Sequence, residues 1–278
     1  MNILIFANCH GASYKKFIEE HAKDSSTFII DYIVSYENLD AYDKIKHKFE
    51  DADILIIQPV SSYPEFSMDS LSKILKPDCL VIRVPFVRFE GLWPKEKSRV
   101  LQKIAPAAVM DFPEKLDDAS KIVEYLTENE SNELDILENF RLAVEKMKEI
   151  EKSSDLTFVE FFLKHYKKVP FFRDALHPTS IMYDHLSREI VNLIGNKASI
   201  EFLPLPDIDL SQWKKEFGHY KPIKDKYARS LGLEYELSSY FSYNRYEYLR
   251  YIIDYENSNE NTYISDLSML KNLVLLKR

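Results

Sequence analysis

The first 84 residues alternate short apolar runs with amphipathic stretches, and that rhythm leaves few folds open. Residues 2–7, 27–34, 53–59 and 79–84 are rich in Ile, Leu, Val and Phe with little polar alternation, the pattern of strands buried on both faces. Between them, residues 12–23 set Tyr14, Phe17, Ile18 and His21 at helical spacing. Residues 40–50 set Tyr42, Ile45 and Phe49 on one face, and residues 66–75 turn Leu71, Ile74 and Leu75 inward. Pro59 and Pro85 stop the third and fourth runs, because proline cannot donate to a sheet ladder. The pattern predicts an α/β fold, a short parallel sheet with helices on both faces. In such sheets ligands sit beyond the carboxyl ends of the strands.

From about residue 95 the rhythm changes. Residues 116–127 and 131–152 read as helices, the second long and charged on one side. Residues 155–168 carry Phe158, Phe161, Phe162 and Tyr166 on a helical stripe, which suits core packing better than a cofactor box. Residues 180–195 form a further helix with Gly195 as its C-cap. Residues 199–203 are a weak strand, 204–210 a connection, and 211–278 mainly helical. The chain thus divides into a catalytic α/β domain over residues 1–203 and a mainly helical C-terminal extension over 204–278, packed on it. Seven tyrosines lie between Tyr235 and Tyr255. They serve either as a stacking surface for sugars or an adenine ring, or as the half-buried bulk of an amphipathic helix.

Composition removes several function classes. A net charge of −8 argues against general nucleic-acid binding. The two cysteines, Cys9 and Cys79, make no disulfide framework, and no Cys/His spacing suggests zinc, so no metal is expected. No apolar run approaches the roughly 18–20 residues that span a bilayer, and the N-terminal run is too short for a signal peptide. The expectation is a cytoplasmic protein with no membrane span; a homo-oligomer is left open.

Chemistry concentrates at three predicted strand ends and one later loop. The first strand ends in Asn8-Cys9-His10-Gly11, just before a helix. A thiol at such a turn meets unpaired N–H groups and the positive end of a helix dipole, which favour thiolate. Gln58, Ser61 and Ser62 follow the third strand, and Arg83 to Trp93 the fourth. The loop is Asp174-Ala175-Leu176-His177-Pro178-Thr179, opening a helix. There Asp174 can hold the His177 imidazole in one tautomer, giving nucleophile, base and orienter with Cys9. The alternatives are a small buried cysteine at a strand end and an aspartate that only caps a turn.

The later block resembles that of the SGNH (GDSL-type) hydrolase and acetyltransferase superfamily, in which Asp and His stand three apart before a Pro and a final helix. With cysteine in the first block, the chain is similar to the WcbI-type polysaccharide biosynthesis acetyltransferases, whose block reads Gly-Asn-Cys-Gln; Ala7 and His10 replace the Gly and the Gln here. The segment from Pro85 to Pro94 resembles the aromatic, Gly- and Pro-containing loop of that family. The SGNH second-block Gly and third-block Gly-x-Asn are not visible. The resemblance implies an SGNH-like three-layer core that transfers acetyl from acetyl-CoA to a sugar hydroxyl in capsular or surface polysaccharide biosynthesis. CoA and a carbohydrate acceptor are the implied partners. Cys9, His177 and Asp174 are the implied catalytic residues, with either a covalent Cys9 intermediate or direct transfer in a ternary complex. Asn8, His10, Gln58, Ser61 and Ser62 are candidates for the oxyanion and substrate. Arg83 and Arg88, suited to phosphate, and Trp93 are candidates for the cofactor. An esterase or thioesterase, and a non-catalytic carbohydrate- or partner-binding protein, stand as alternatives.

Overall fold

A computed structural model of the chain describes residues 1–60, 62–92, 133–198, 200–215, 223–235 and 242–243. Two compact units are built from interleaved segments. The first comprises Met1–Arg88, Lys146–His165 and Pro178–Glu216; the second comprises Phe89–Glu145, Tyr166–His177 and Phe217–Arg278.

The first unit holds the parallel sheet that the apolar runs predict. Its strands are β1 (Asn2–Ala7), β2 (Ile29–Val34), β3 (Ile54–Ile57) and β4 (Leu80–Arg83), in the order β2-β1-β3-β4, all parallel. On one face, Leu4, Phe6, Ile33, Leu55 and Ile57 pack against Ile45 and Phe49 of α2 (Tyr42–Glu50), and against Phe66 and Leu71. Leu71 ends α3 (Met68–Leu71), one turn of the helix expected over 66–75; the chain continues as hydrogen-bonded turns to Leu75. The opposite face is covered by α1 (His10–His21) and α6 (Ser180–Lys197), which pack together. Tyr14 and Ile18 of α1 and seven residues of α6, among them Ile181, Leu186 and Ile190, are buried. Fully burying each such aliphatic or aromatic side chain stabilises the fold by about 1.5–3 kcal/mol.

The strand order places a topological switch point at β1. The chain leaves β1 towards β2 on one side, then crosses to β3 on the other, and in sheets of this kind ligands bind at the carboxyl ends of the two strands that flank such a point, here β1 and β3. Residues 8–10 and 58 occupy those ends.

Three helix boundaries differ from the sequence expectation. The first helix begins at His10 rather than Ala12, because the Asn8 side chain and carbonyl close a turn that starts it early. The stripe over 155–168 narrows to α5 (Val159–His165). Gly195 does not cap its helix; α6 runs on to Lys197 and ends at Ala198 in extended backbone. A Cβ at Gly195 would make only ordinary contact with Phe202, at 3.6 Å.

Residues 200–203 run beside the end of α1. Ala22 and Phe202 form an antiparallel bridge, and the Leu203 N–H donates to the His21 carbonyl at 2.8 Å.

Helix α4 (Glu133–Lys152) matches the long charged stretch expected over 131–152. In the second unit, Phe89 stacks on Phe172 at 5.6 Å between centroids and meets Phe140 edge-on at 5.3 Å. The described part of the C-terminal region contains α7 (Asp225–Ser230). It also contains a two-residue parallel pair, β5 (Ile223–Lys224) with β6 (Ser242–Tyr243), which the helical reading of 211–278 lacked. Gly232 adopts φ +62° just after α7, a left-handed position that suits glycine. The helix expected over 116–127 and most of the tyrosine-rich stretch lie outside the described residues.

Candidate active site

Asn8 builds the turn at the end of β1 with every polar group it has except its side-chain nitrogen. Its N–H donates to Gln58 Oε1 at 3.1 Å, and its Oδ1 accepts the His10 N–H at 3.0 Å. Its carbonyl accepts the Gly11 N–H at 3.0 Å and the Tyr32 hydroxyl at 2.6 Å. The Tyr32 hydroxyl in turn accepts the Ala12 N–H. The amides of His10, Gly11 and Ala12 are therefore all engaged within the turn. Burial, then the fields of Cys9, Tyr36 and Glu37, push the Tyr32 phenol up to about 12.

This turn displays Cys9 as the exposed N-cap of α1, in helical backbone and with no side-chain capping bond. The next side chain, His10, turns inward and is 1% exposed. Its ring meets Tyr183 edge-on at 5.2 Å and Phe86 at 5.9 Å. Phe86 also lies under the exposed Arg88 guanidinium, 5.8 Å from the ring centroid. Such a cation over a ring face is attracted by the ring quadrupole. Arg83 is engaged elsewhere: it makes a forked ion pair with Asp155, with Nη2 at 2.6 Å and Nε at 3.2 Å. Asp155 Oδ2 also accepts the Arg83 N–H at 2.7 Å. Ser62 is exposed beyond β3; Ser61 and Trp93 lie outside the described residues.

In the second unit, Asp174 and His177 meet as their spacing predicts. Asp174 Oδ1 and Oδ2 lie 2.9 and 2.8 Å from His177 Nδ1. A carboxylate only accepts, so Nδ1 is the donor, and in the neutral imidazole this leaves the lone pair on Nε2. Oδ1 also accepts the N–H groups of Leu176 (2.8 Å) and His177 (3.0 Å), which fixes the loop around the carboxylate. The Arg173 N–H donates to the His177 carbonyl, and the Phe89 N–H to the Ala175 carbonyl, both at 2.8 Å. Phe171 and Phe172, just upstream, are 1% and 2% exposed and anchor the loop in the core. The His177 side chain itself is 53% exposed, open to a reactant.

The sequence reading missed three tyrosines. Tyr14 was read as a helix-face residue only; it is wholly buried, with its phenol pushed well up by burial, then by Tyr183 and Cys9. Tyr183 and Tyr32 complete the surroundings of the β1 turn. For Tyr14 and Tyr183 the available signal was a tyrosine one turn into a helix that follows a motif; Tyr32, in β2, carried none. Among the described residues no group of His, Cys, Asp and Glu is placed to hold a metal, and no helix is long and apolar enough to cross a membrane.

Comparison with known proteins gives a consistent family. No curated protein matches the chain. A solved structure described as WcbI, a novel polysaccharide biosynthesis enzyme, in its native form without a disulfide bond between CoA and one of its cysteines, has a similar fold. It superposes with a TM-score of 0.52 at 15% identity, over 99% of this chain and 98% of that one. The sequence profile of the polysaccharide biosynthesis enzyme WcbI matches residues 2–199. With most of its length under that profile, the chain belongs to the WcbI family of polysaccharide biosynthesis enzymes.

Proposed function

We propose that the protein is an O-acetyltransferase that moves acetyl from acetyl-CoA to a sugar hydroxyl during capsular or surface polysaccharide synthesis. The observation that carries the reading is the Asp174–His177 pair, with Nδ1 held by the carboxylate and Nε2 left to accept a proton. An exposed thiol at the end of the first strand, and the CoA named with the similar solved structure, support it. A cytoplasmic setting, where CoA is available, goes with this reading.

In the proposed reaction, His177 Nε2 takes the Cys9 thiol proton. The thiolate attacks the acetyl carbonyl carbon, and the π pair moves to oxygen. Collapse restores the carbonyl and breaks the bond to CoA sulfur, which leaves with the proton from His177. The acceptor hydroxyl then gives its proton to His177 and attacks the acetyl-Cys9 carbonyl; the Cys9 thiol is regenerated with that proton. Asp174 stabilises the imidazolium at each stage. Asn8, His10, Gln58, Ser61 and Ser62 are assigned to the oxyanion and acceptor. Arg88 and Trp93 are assigned to CoA, and Arg83 joins them if CoA phosphate competes with Asp155.

Acetyl-CoA is expected to raise the melting temperature and, without acceptor, to acetylate Cys9, as read by intact mass. Cys9→Ala abolishes the mass gain. Absence of both effects overturns the reading. Turnover of p-nitrophenyl acetate with no response to CoA points instead to an esterase.

A further inference from the structure

Below the exposed Cys9, the helix-side layer of the first unit contains two buried hydrogen-bond donors that lack acceptors. Tyr14 is 0% exposed, and its hydroxyl has no hydrogen-bond partner among the described residues. Gln58 is 7% exposed, and its Nε2 has none either. An unpaired buried polar group is costly, so native structures contain few of them. Gln58 follows β3 at the β1–β3 switch point, and Tyr14 is buried under α1, which covers the same face of the sheet. Ile57 points to the α2–α3 face, so strand alternation turns Gln58 to the opposite side, towards α1. Tyr14 enters that layer from one turn inside α1, within the electrostatic reach of Cys9 and Tyr183.

The orientation of each donor is fixed. The Asn8 N–H can only donate, so it holds Gln58 by its Oε1, and the NH2 group is the part of the amide left over. Burial keeps the Tyr14 phenol protonated, hence a donor. The usual source of an anion site here, the first amides of the helix, is engaged by Asn8 and Tyr32. The amides of His10, Gly11 and Ala12 are therefore not free to take a ligand oxygen near Cys9.

We propose that Tyr14 Oη and Gln58 Nε2 are the two donors of an anion hole that receives the acyl oxygen when Cys9 attacks a thioester. The proposal rests on the acyl-transfer reading above. When the thiolate adds to the carbonyl carbon, the displaced π pair makes an oxyanion, which accepts both hydrogen bonds. When the carbonyl re-forms, the CoA thiolate leaves and takes its proton from His177. Two neutral donors in an aromatic, largely dry layer suit charge that exists only in the transition state and intermediate.

The test is single-turnover acetylation of the full chain by acetyl-CoA without acceptor, followed by intact mass, in the wild type, Tyr14→Phe and Gln58→Glu; glutamate keeps an acceptor for the Asn8 N–H and loses the NH2 donor. Loss of one such donor slows acylation by about 10²–10³-fold. CoA affinity stays unchanged, and Tyr14→Phe melts at or above the wild type, since it removes only an unpaired polar group. A wild type that never takes up acetyl overturns the covalent Cys9 step and the hole with it, and overturns the acetyltransferase reading too only if acetyl-CoA also leaves the melting temperature unchanged. A wild type that does, with both variants equally fast, overturns the hole alone. So does slow acylation of Tyr14→Phe accompanied by a lower melting temperature, which marks the hydroxyl as structural. Gln58→Glu, which keeps the acceptor for the Asn8 N–H, decides the matter if Tyr14→Phe does not fold.

Discussion

Both carboxylate oxygens of Asp174 stand within hydrogen-bond distance of His177 Nδ1, at 2.9 and 2.8 Å. The same Oδ1 accepts two backbone N–H groups of the loop, so the aspartate shapes the loop and orients the His177 ring at once. Asp174→Asn can keep the loop bonds through its amide oxygen, but it no longer offers His177 two acceptors or a negative charge. Acetyl transfer is expected to fall by about 10²–10⁴-fold with little change in melting temperature. Steady-state kinetics beside a thermal melt separates this from unfolding, and an unchanged kcat would remove Asp174 from the mechanism.

Gly11 lies against the Tyr32 ring. A Cβ there would stand 2.4 Å from one ring carbon and 2.9 Å from another, with Ile5 at 3.1 Å. Since Tyr32 also ties Asn8 to Ala12 through its hydroxyl, the ring cannot move without loosening the turn under Cys9. Gly11→Ala is expected to destabilise by about 1–3 kcal/mol. In a Tyr32→Ala background the penalty should largely vanish, because the two positions share one contact. Urea denaturation of the four proteins reads the coupling directly.

Arg83 and Arg88 are five residues apart but differ in their surroundings. Arg83 is held by Asp155, whereas the exposed Arg88 rests on the Phe86 ring. Arg88→Ala should raise the KM for acetyl-CoA by about 5–20-fold while leaving the fold intact, as expected for loss of one charged hydrogen bond to phosphate. Arg83→Ala should act first on stability. The reverse assignment would show as a KM effect confined to Arg83.

The Arg83–Asp155 pair also sets a pH dependence. Burial works against the Asp155 carboxylate, but hydrogen bonds from the Arg83 side chain and N–H outweigh it and hold the carboxyl below the ordinary range. Because the folded pKa lies below the unfolded one, the pair contributes its full stability above the ordinary aspartate value, near 3.9. That contribution fades as pH falls through the folded value. Asp155→Asn should therefore be less stable than the wild type at pH 7, and the gap should close below about pH 4. Melts of both proteins from pH 3 to 7 measure it; a constant gap would show that the pair is not the source.

The parallel sheet was legible because apolar strands are written without alternation, and its four strands fall inside the four predicted runs. Helix ends were less legible because they depend on side-chain bonds. Asn8 starts α1 two residues early through its own Oδ1, and Gly195 continues a helix that its residue type would end. The engagement of Arg83 could not be read at all, since its partner is 72 residues away in sequence.

By itself the sequence determined what is local: a thiol at the end of the first apolar run, and an Asp and a His three residues apart, a spacing at which the two side chains can meet without help from the rest of the chain. Only the tertiary structure decided what surrounds the thiol. Gln58 reaches Asn8 across 50 residues, and Tyr32 reaches it across 24, because β1 pairs with both β3 and β2 in fixed parallel register. That register, set by burial of both sheet faces, brought a strand-end glutamine and a strand tyrosine onto the turn that carries Cys9.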